Sequence, residues 1–401
     1  MKKGVTLLLA VSFVSILFLF GVTHGYADET TGLTSETIKV GVVSDITGPT
    51  SQLQIPLHTG IKTYLQYIND QGGTHGRKFK VIIEDGGYSV ARDISNFKKL
   101  VYRDKIFMFF EIGSTGSGVA LASQITKEGL PTMMTSTTDF FIHPVRPYHF
   151  TEGTTYEDEI KIIFNYVINV LKAKDAKIAL IRADTEHGKV GSRTCHEQAK
   201  AYGLKLTAEE VIQPGAIEAS SQVLNLKREG ASHVILHTTE GNAATFLRES
   251  KRFGYKPIPI GTKYACTEDV IRIVGDAAKG FVATNSFASW HDDCKGINEM
   301  KKITLKYHDK KEMIIRYRQY NQGWCQAVIM VEGLKRAGKN LTRSGLVKAI
   351  ESIKDFDMGN IMASVTYGTD KHQGTDYCKM YKADIENQKF VPFTDYIRAA
   401  R

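Results

Sequence analysis

The sequence contains few cysteines and no closely spaced pair of them. Its 401 residues include five, and none belongs to a Cys-x-x-Cys pair, so a structural zinc site has little support. The five are Cys195, Cys266, Cys294, Cys325 and Cys378. Because the count is odd, at least one thiol stays unpaired even where disulfides form. Cys195, in a predicted helix, is our candidate for that thiol, and the pairing of the others stays open.

The common signatures of enzymes are also missing. The chain has no G-x-S-x-G nucleophile elbow, no H-E-x-x-H motif and no P-loop. The glycine-rich run 113–118 does not follow the dinucleotide-binding order, and no spacing singles out a Ser-His-Asp triad. We therefore predict a protein that is not an enzyme and that holds neither a cofactor nor a metal. An exported enzyme is the weaker alternative.

Charge is not segregated along the chain. The formal net charge is +9, but the basic residues are interleaved with acids and form no stripe with aromatic residues. Nucleic acid is therefore a poor candidate partner. After the N-terminal segment, no apolar run is long enough to cross a bilayer.

The N-terminal segment has the pattern of a secretory signal peptide. Lys2 and Lys3 precede an apolar run over residues 5–22, and Gly25 and Ala27 supply the small residues of a cleavage site. We predict cleavage after Ala27, although the run is long enough for a retained membrane anchor to be the alternative. The remaining chain is too long for one core and suits two lobes.

Strands and helices alternate from residue 38 onward, around a central unit at residues 107–138. This unit has a hydrophobic strand, a Gly-Ser turn, a helix ended by Gly129 and Pro131, and a second strand. The alternation restarts after His149, which predicts an α/β protein with two parallel-sheet lobes. The last hundred residues are predicted to be mainly helical, with strand-like pieces at Ser364–Tyr367 and Tyr377–Ala383.

Hydroxyl-bearing residues cluster at the ends of the predicted strands. The clusters are Ser117-Gly118, Ser136-Thr137-Thr138 and Thr238-Thr239. In parallel sheets, ligands bind at these carboxyl ends, where helix N-termini offer free N–H groups. Helix N-capping is the alternative role for each cluster. His187, His237 and His291 also lie near strand ends and are either ligand contacts or ordinary solvated residues.

The ensemble of motifs resembles type I periplasmic solute-binding proteins of the branched-chain amino acid (leucine/isoleucine/valine-binding) group. The matching stretches are I-K-V-G-V-V-S-D-I-T-G-P, G-S-T-G-S-G-V-A-L-A, G-L-P-T-M-M-T-S-T-T, A-D-T-E-H-G-K-V-G and F-L-R-E-S-K-R-F-G-Y-K-P. The resemblance implies two Rossmann-like lobes joined by three hinge strands, with the ligand in the cleft between them. Lobe I would comprise residues 28–150 and 288–361, and lobe II residues 151–287 and 362–401.

The same resemblance implies a periplasmic monomer that delivers a small ligand to the permease of an ABC transporter. The group holds its ligand's carboxylate with hydroxyls and N–H groups of the first lobe. Those contacts fall on Ser117, Ser136 and Thr138, with Gly118 and Thr137 beside them. A ligand-sensing protein for a membrane sensor or chemoreceptor would use the same fold and is an alternative.

Three departures from the group's pattern concern the ligand. Amino-acid binders carry an acid in a G-P-E motif, whereas the matching position here is Lys263. His187 replaces a tyrosine, and Leu53 replaces an aromatic residue. Glu240, beside Thr239, could supply a carboxylate from an adjacent loop.

We therefore expect a carboxylate ligand without an α-ammonium, such as an aromatic or short organic acid. A lysine facing an ammonium would repel it, and an unmatched buried charge is costly. Tyr156, Tyr264 and Trp324 are the expected apolar walls of the site. Branched-chain amino acid binding is the alternative.

Overall fold

The computed structural model describes residues 29–399. The predicted signal peptide and its cleavage site therefore lie outside the described residues. Among residues 29–399, no helix combines the length and apolar character that a membrane span requires. All five cysteines lie in this part of the chain, and each is a free thiol.

The first lobe is built on a five-stranded parallel sheet of order β2-β1-β3-β4-β5. Its strands are β1 (Thr37–Ser44), β2 (Lys78–Asp85), β3 (Met108–Glu111), β4 (Thr132–Met134) and β5 (His149–Phe150). Its helices are α1 (Ser51–Asp70), α2 (Val90–Lys98), α3 (Thr115–Lys127) and α4 (Asp139–Ile142). A π-helical turn, Lys99–Arg103, extends α2. Helices thus cover a buried sheet, as parallel strands require.

The second lobe contains a larger, mixed sheet of order β12-β11-β10-β9-β8-β6-β7. Its strands are β6 (Ile178–Arg182), β7 (Ala208–Val211), β8 (His233–His237), β9 (Ile258–Gly261), β10 (Val282–Asn285), β11 (Tyr377–Asp384) and β12 (Lys389–Pro392), with β13 (Ile397–Arg398) paired to β11. The helices are α5 (Tyr156–Asn165), α6 (Glu186–Ala201), α7 (Ser220–Glu229), α8 (Glu240–Arg252) and α9 (Glu268–Val274). Only β11, β12 and β13 run antiparallel to their neighbours in this sheet.

Three further helices, α10 (Lys295–Thr304), α11 (Arg318–Ala337) and α12 (Arg343–Glu351), pack back onto the first lobe. Their buried apolar residues belong to the same hydrophobic core as buried residues of the first-lobe sheet and of α1. The chain therefore passes between the lobes after β5, after β10 and before β11. The first and last passages touch, since Thr151 N–H donates to His372 O at 2.9 Å and Gly374 N–H donates to Thr151 O at 2.8 Å. The three-segment hinge is thus present.

The predicted alternation is confirmed for the long elements. It continues through the second lobe, where α7 is followed by β8. The predicted strand at Ser364–Tyr367 is wrong. Val365 forms an isolated bridge with Phe356, whereas Thr366 N–H donates to Gly374 O and Tyr367 N–H to Ile353 O. Its backbone groups bond to different loops, so no ladder forms.

Helices α1 and α11 cross at unusually short distance because each has a glycine at the contact. A Cβ on Gly60 would lie 2.1 Å from Tyr320 O, and a Cβ on Gly323 would lie 1.9 Å from Leu57 O. The two backbones therefore touch directly. This contact fixes the N-terminal ends of both helices, which border the cleft.

Replacing Gly323 by alanine should lower the free energy of unfolding by about 1–3 kcal/mol or more, because the added methyl group overpacks this contact. Gly241, exposed in the first turn of α8, is a matched control because its Cβ would meet no atom within 4 Å. Gly241→Ala should be neutral or stabilising. Urea denaturation of both variants tests this, and equal losses of stability would contradict the described contact.

Candidate functional site

A cavity lies between the lobes at the carboxyl ends of their parallel strands. It holds about 520 Å³ of space not occupied by atoms, its open mouth included. The first lobe contributes the start of α1, the turns after β2, β3 and β4, and Gln319 of α11. The second lobe contributes Tyr156, His187, Thr239 and Tyr264. The carboxyl ends of parallel strands are where ligands of open α/β sheets bind.

The turn after β3, at the start of α3, borders this cavity. Ser114 is the N-cap of α3, and its Oγ accepts from Ser117 N–H at 3.0 Å. Since the first N–H groups of a helix have no intrahelical acceptor, those of Thr115 and Gly116 remain directed outward. Ser114 and Thr115 line the cavity. Such a helix start favours an anion.

Ser117 and Gly118, in the first turn of α3, are not part of the cavity lining. The Oγ of Ser117 contacts Ser114 Oγ at 2.8 Å and donates to the Asp93 carboxylate. Gly118 packs inward, where a Cβ would lie 3.0 Å from Met134 Cε and from Phe141 Cζ. Both residues therefore support the turn from outside the cavity lining.

Two buried carboxyl groups lie beneath the same turn. Ser114 N–H donates to Glu111 Oε1 at 3.3 Å, and Ser117 Oγ donates to Asp93. Burial, with the nearby charge of Asp93, raises the pKa of Glu111 to about 8. Burial raises the pKa of Asp93 as well. Glu111 is therefore mostly protonated at neutral pH, which limits negative charge behind the anion-favouring helix start.

The turn after β4 divides its hydroxyls between the cavity and the protein interior. Thr135 and Ser136 line the cavity. Thr137 accepts a hydrogen bond from the Lys263 ammonium. Thr138 donates to Glu157 Oε1 at 2.8 Å and is the N-cap of α4. Thr138 thus has the capping role that the sequence left open.

Aromatic rings form the wall contributed by the second lobe. Ring centroids are 4.7 Å apart for Tyr156 and His187, and 5.8 Å apart for His187 and Tyr264. His237 stacks behind His187 at 3.8 Å, and its Nε2 lies 3.0 Å from His187 O. A carbonyl only accepts, so Nε2 of His237 carries the proton. Desolvation lowers the pKa of His187 and lowers that of His237 to about 4, so both rings are neutral.

Lys263 lies outside the cavity lining, although the sequence placed it opposite the ligand. Its ammonium donates to Thr137, lies 3.9 Å from Glu159 Oε1 and sits over the rings of Tyr156 and Tyr264. Glu159 Oε2 accepts from Lys263 N–H at 2.8 Å. Burial lowers the pKa of Lys263, an effect opposed by nearby Glu159. The protein therefore compensates this charge internally.

Glu240 and Trp324 also lie outside the lining. Glu240 is buried in the first turn of α8, next to Thr239, and burial raises its pKa to about 7. Trp324 packs against Tyr64 of α1, with ring centroids 4.9 Å apart. Its side chain belongs to the α1–α11 contact, since Trp324 and Gln319 occupy different faces of α11.

Of the candidate residues, the structure thus brings six to the cavity: Leu53, Ser136, Tyr156, His187, Thr239 and Tyr264. It places seven outside the lining: Ser117, Gly118, Thr137, Thr138, Glu240, Lys263 and Trp324. Residues that the sequence reading missed include Gln54, Leu57, Tyr88, Thr115 and Gln319. Leu57 follows Leu53 by one helical turn and Thr115 lies in the quoted Gly-Ser motif, so both had a signal. Gln319 had none.

The lining contains no aspartate, glutamate, lysine or arginine. Its polar groups are hydroxyls, amides and a neutral histidine, and its apolar part includes Leu53, Leu57 and Ile112. In residues 29–399, no group of three or more histidine, cysteine or acidic side chains is placed to hold a metal ion. The site is therefore suited to binding through neutral dipoles.

The family model for "Periplasmic binding protein" matches residues 37–389 of the chain. This protein belongs to the periplasmic binding protein family. A periplasmic binding protein binds a solute and is not an enzyme, as the missing catalytic motifs predicted. The two-lobed fold with a cleft at the strand ends is the structural counterpart of that assignment.

Similar proteins include solute-binding proteins of several organisms. Leu/Ile/Val-binding protein homolog 1 of Brucella abortus (strain 2308) is 25% identical over 313 residues, covering 76% of this chain and 79% of the relative. A branched chain amino acid ABC transporter from Thermus thermophilus with bound valine matches with TM-score 0.85 and 26% identity, covering 92% of this chain and 98% of the other.

A fatty acid ABC transporter substrate-binding protein from Thermomonospora curvata also has this fold. Its TM-score is 0.83 at 22% identity, and the match covers 92% of this chain and 95% of the other. Proteins of closely similar shape thus carry names that refer to chemically different ligands.

The unfolding free energy of Glu111→Gln should depend less on pH than that of the natural protein. Because the folded-state pKa is raised, Glu111 contributes stability at low pH that is lost as pH rises from about 4.5 to about 8. The variant should gain on the natural protein by on the order of a few kcal/mol between pH 5 and pH 8.

Urea denaturation at both pH values measures this difference. Glu197→Gln, on the exposed surface of α6, is the control and should follow the natural protein throughout. A stability difference for Glu111→Gln that is the same at both pH values would rule out a protonated Glu111.

Proposed function

We propose that this protein is a periplasmic receptor that captures a small carboxylate ligand without an α-ammonium, an aromatic or other organic acid, and delivers it to an ABC importer. The observation that carries the proposal is a cavity with a helix N-terminus in its wall and no charged side chain in its lining. The predicted signal peptide, cleaved after Ala27, would export the chain. We expect the receptor to act as a monomer.

The carboxylate would bind at the first lobe. The N–H group of Thr115 and the hydroxyl of Ser136 offer donors without a formal positive charge. Hydrogen bonds to an ionised acceptor are stronger than those between neutral groups. The protonated state of Glu111 supports this placement, because a second anion beneath the turn would oppose the ligand.

An α-ammonium would find no matching anion in this cavity. The lining has no acidic side chain, and the position at which amino-acid binders carry an acid is occupied here by Lys263. Glu159 is engaged with Lys263 N–H and with Thr284 Oγ1, and Glu240 lies behind the wall. Burying an unmatched ammonium would cost several kcal/mol, which argues against branched-chain amino acids.

The body of the ligand would contact an apolar and aromatic surface. Leu53 and Leu57 from α1 oppose Tyr156, Tyr264 and His187 from the second lobe. Aromatic walls favour a flat or compact apolar group. We propose that Leu53, Ser136, Tyr156, His187, Thr239 and Tyr264 contact the ligand directly, and that the other candidates act by supporting them.

Lobe closure would provide the signal to the importer. Tyr264 OH donates to Thr135 O at 3.2 Å, and the Lys263 ammonium donates to Thr137. These contacts join the two lobes beside the proposed carboxylate position. A ligand bound between the lobes would favour this closed arrangement over an open one. ABC transporters appear in the descriptions of the Thermus and Thermomonospora proteins, which supports the proposed partner.

Organic acids should raise the melting temperature of the exported protein, whereas leucine, isoleucine and valine should not. A ligand at one hundred times its dissociation constant adds about 2.7 kcal/mol of stability, which a thermal-shift screen detects. Mass spectrometry of any co-purified molecule should find a carboxylic acid without an amine. Micromolar leucine binding with all acids inert would refute the proposal.

Ser136→Ala should weaken binding of the acid about tenfold to a hundredfold, because it removes one hydrogen bond to a charged group. Ser221→Ala, on the exposed start of α7, is the matched control and should bind as the natural protein does. Titration calorimetry of the two variants makes the comparison. Equal affinities would move the carboxylate away from Ser136.

A further inference from the structure

Two polar atoms in the wall of the cavity are shielded from solvent and have no hydrogen-bond partner among the described residues. They are Nε2 of His187, from the second lobe, and Oε1 of Gln319, from the first lobe. Gln319 is 3% exposed. Buried polar groups in folded proteins are nearly always hydrogen-bonded, so such exceptions need an explanation.

Neighbouring polar side chains of the same wall have partners within the protein. Gln54 Oε1 accepts from Asp45 N–H at 2.6 Å, and its Nε2 donates to Gly113 O. Thr135 Oγ1 accepts from Gln326 Nε2 at 3.0 Å. Ser114 Oγ pairs with Ser117. Among the described residues of this wall, only His187 and Gln319 thus have a solvent-shielded side-chain atom without a hydrogen-bond partner.

The ring of His187 is held in place by its surroundings. His237 stacks on it at 3.8 Å and bonds to its backbone carbonyl, while Tyr156 meets it edge to face at 4.7 Å. Both histidines are neutral, so Nε2 of His187 either donates or accepts, depending on its tautomer. Its position is fixed while its hydrogen-bonding capacity is unused.

We infer that the ligand carries a hydroxyl group on its apolar body in addition to its carboxylate, and that His187 and Gln319 recognise this hydroxyl. A hydroxyl both donates and accepts, so one group has the chemistry for the glutamine oxygen and for the histidine nitrogen. A second charged group is disfavoured, because the lining has no charge to match it. The inference rests on the proposed capture of a carboxylate and narrows the ligand to a hydroxy acid.

Recognition of this kind gives strong discrimination. A site built to bond a hydroxyl rejects the analogue without it, because its own polar atoms then stay desolvated and unpaired. Because Gln319 and His187 belong to opposite lobes, the hydroxyl would also link the lobes at a second point. Parent and hydroxylated acids should therefore differ in affinity although they share the carboxylate contacts.

Titration calorimetry with matched pairs of acids tests the inference. The probes are benzoate with its 3- and 4-hydroxy derivatives, and butyrate with its 3- and 4-hydroxy derivatives. At least one hydroxy acid should bind tenfold or more tightly than its parent. His187→Phe and Gln319→Leu should each bring this ratio toward one.

His233→Phe is the control, because it replaces a histidine by the same residue at a position outside the cavity. His233 is the first residue of β8, and the cavity lies beyond the last residue of that strand. It should keep the natural ratio. Because Gln319→Leu changes the other lobe, it keeps the test decisive if His187→Phe does not fold.

The outcomes separate the inference from the function on which it rests. Equal affinity for parent and hydroxy acids overturns the hydroxyl assignment and leaves carboxylate capture intact. A preference that persists in both variants overturns the assignment to His187 and Gln319. If no acid binds, or leucine binds in their place, the proposed function itself fails.

Discussion

The convergence of parallel strand ends on one uncharged cavity is the constraint on which the rest of the structure depends. A parallel sheet directs every helix start to one edge, and each start leaves N–H groups without intrahelical acceptors. At α3, Ser114 Oγ accepts from Ser117 N–H, and Thr115, the first residue of the helix, lines the cavity. Fixed dipoles can hold an anion there without the desolvation cost of a buried cation. The same arrangement requires that nearby acids lose their charge, and burial of Glu111 has this effect.

Buried lysine and glutamate side chains lie outside the cavity lining, close to the segments that connect the lobes. Lys263 and Glu159 lie behind the aromatic wall, and Glu152 accepts from Gln322 Nε2 at 2.6 Å and from Gln326 Nε2 at 3.1 Å. These contacts link helices of the first lobe to segments that cross between the lobes. Each ionisable group has polar neighbours that offset part of the cost of its burial, so the hinge region tolerates charges that lie outside the cavity lining. Removing one partner alone would leave a buried charge unmatched, which is far costlier than removing the pair.

Much of this fold was predictable because its signals are local. The unit at 107–138 shows a buried run, a glycine turn, helical spacing and a Gly-Pro stop, and each is set by nearest neighbours in sequence. The site was predictable only as a region. Sequence cannot distinguish Ser114 from Ser117 as the N-cap, since both are serines in the same turn. Nor does it show that Thr138 caps α4 while Ser136 faces the cavity. Gln319 reaches the wall only because Gly60 and Gly323 let α11 approach α1 closely.

The two lobes present different kinds of groups to the cavity. They differ in which side chains are held in position and in which hydrogen-bonding atoms have no partner in the described residues. Donors at α3 and Ser136 would suit any carboxylate, so in the proposed function the first lobe would supply a general anchor. The second lobe presents rings whose positions are set by stacking, and one ring nitrogen with no partner in the described residues. Discrimination between ligands that share a carboxylate must come from contacts that differ between them. We expect those contacts at polar atoms that are shielded from solvent in a wall without charged side chains, where an unmade hydrogen bond is most costly. His187 replaces the tyrosine expected at this position, and we therefore expect a substitution there to change which ligand is preferred.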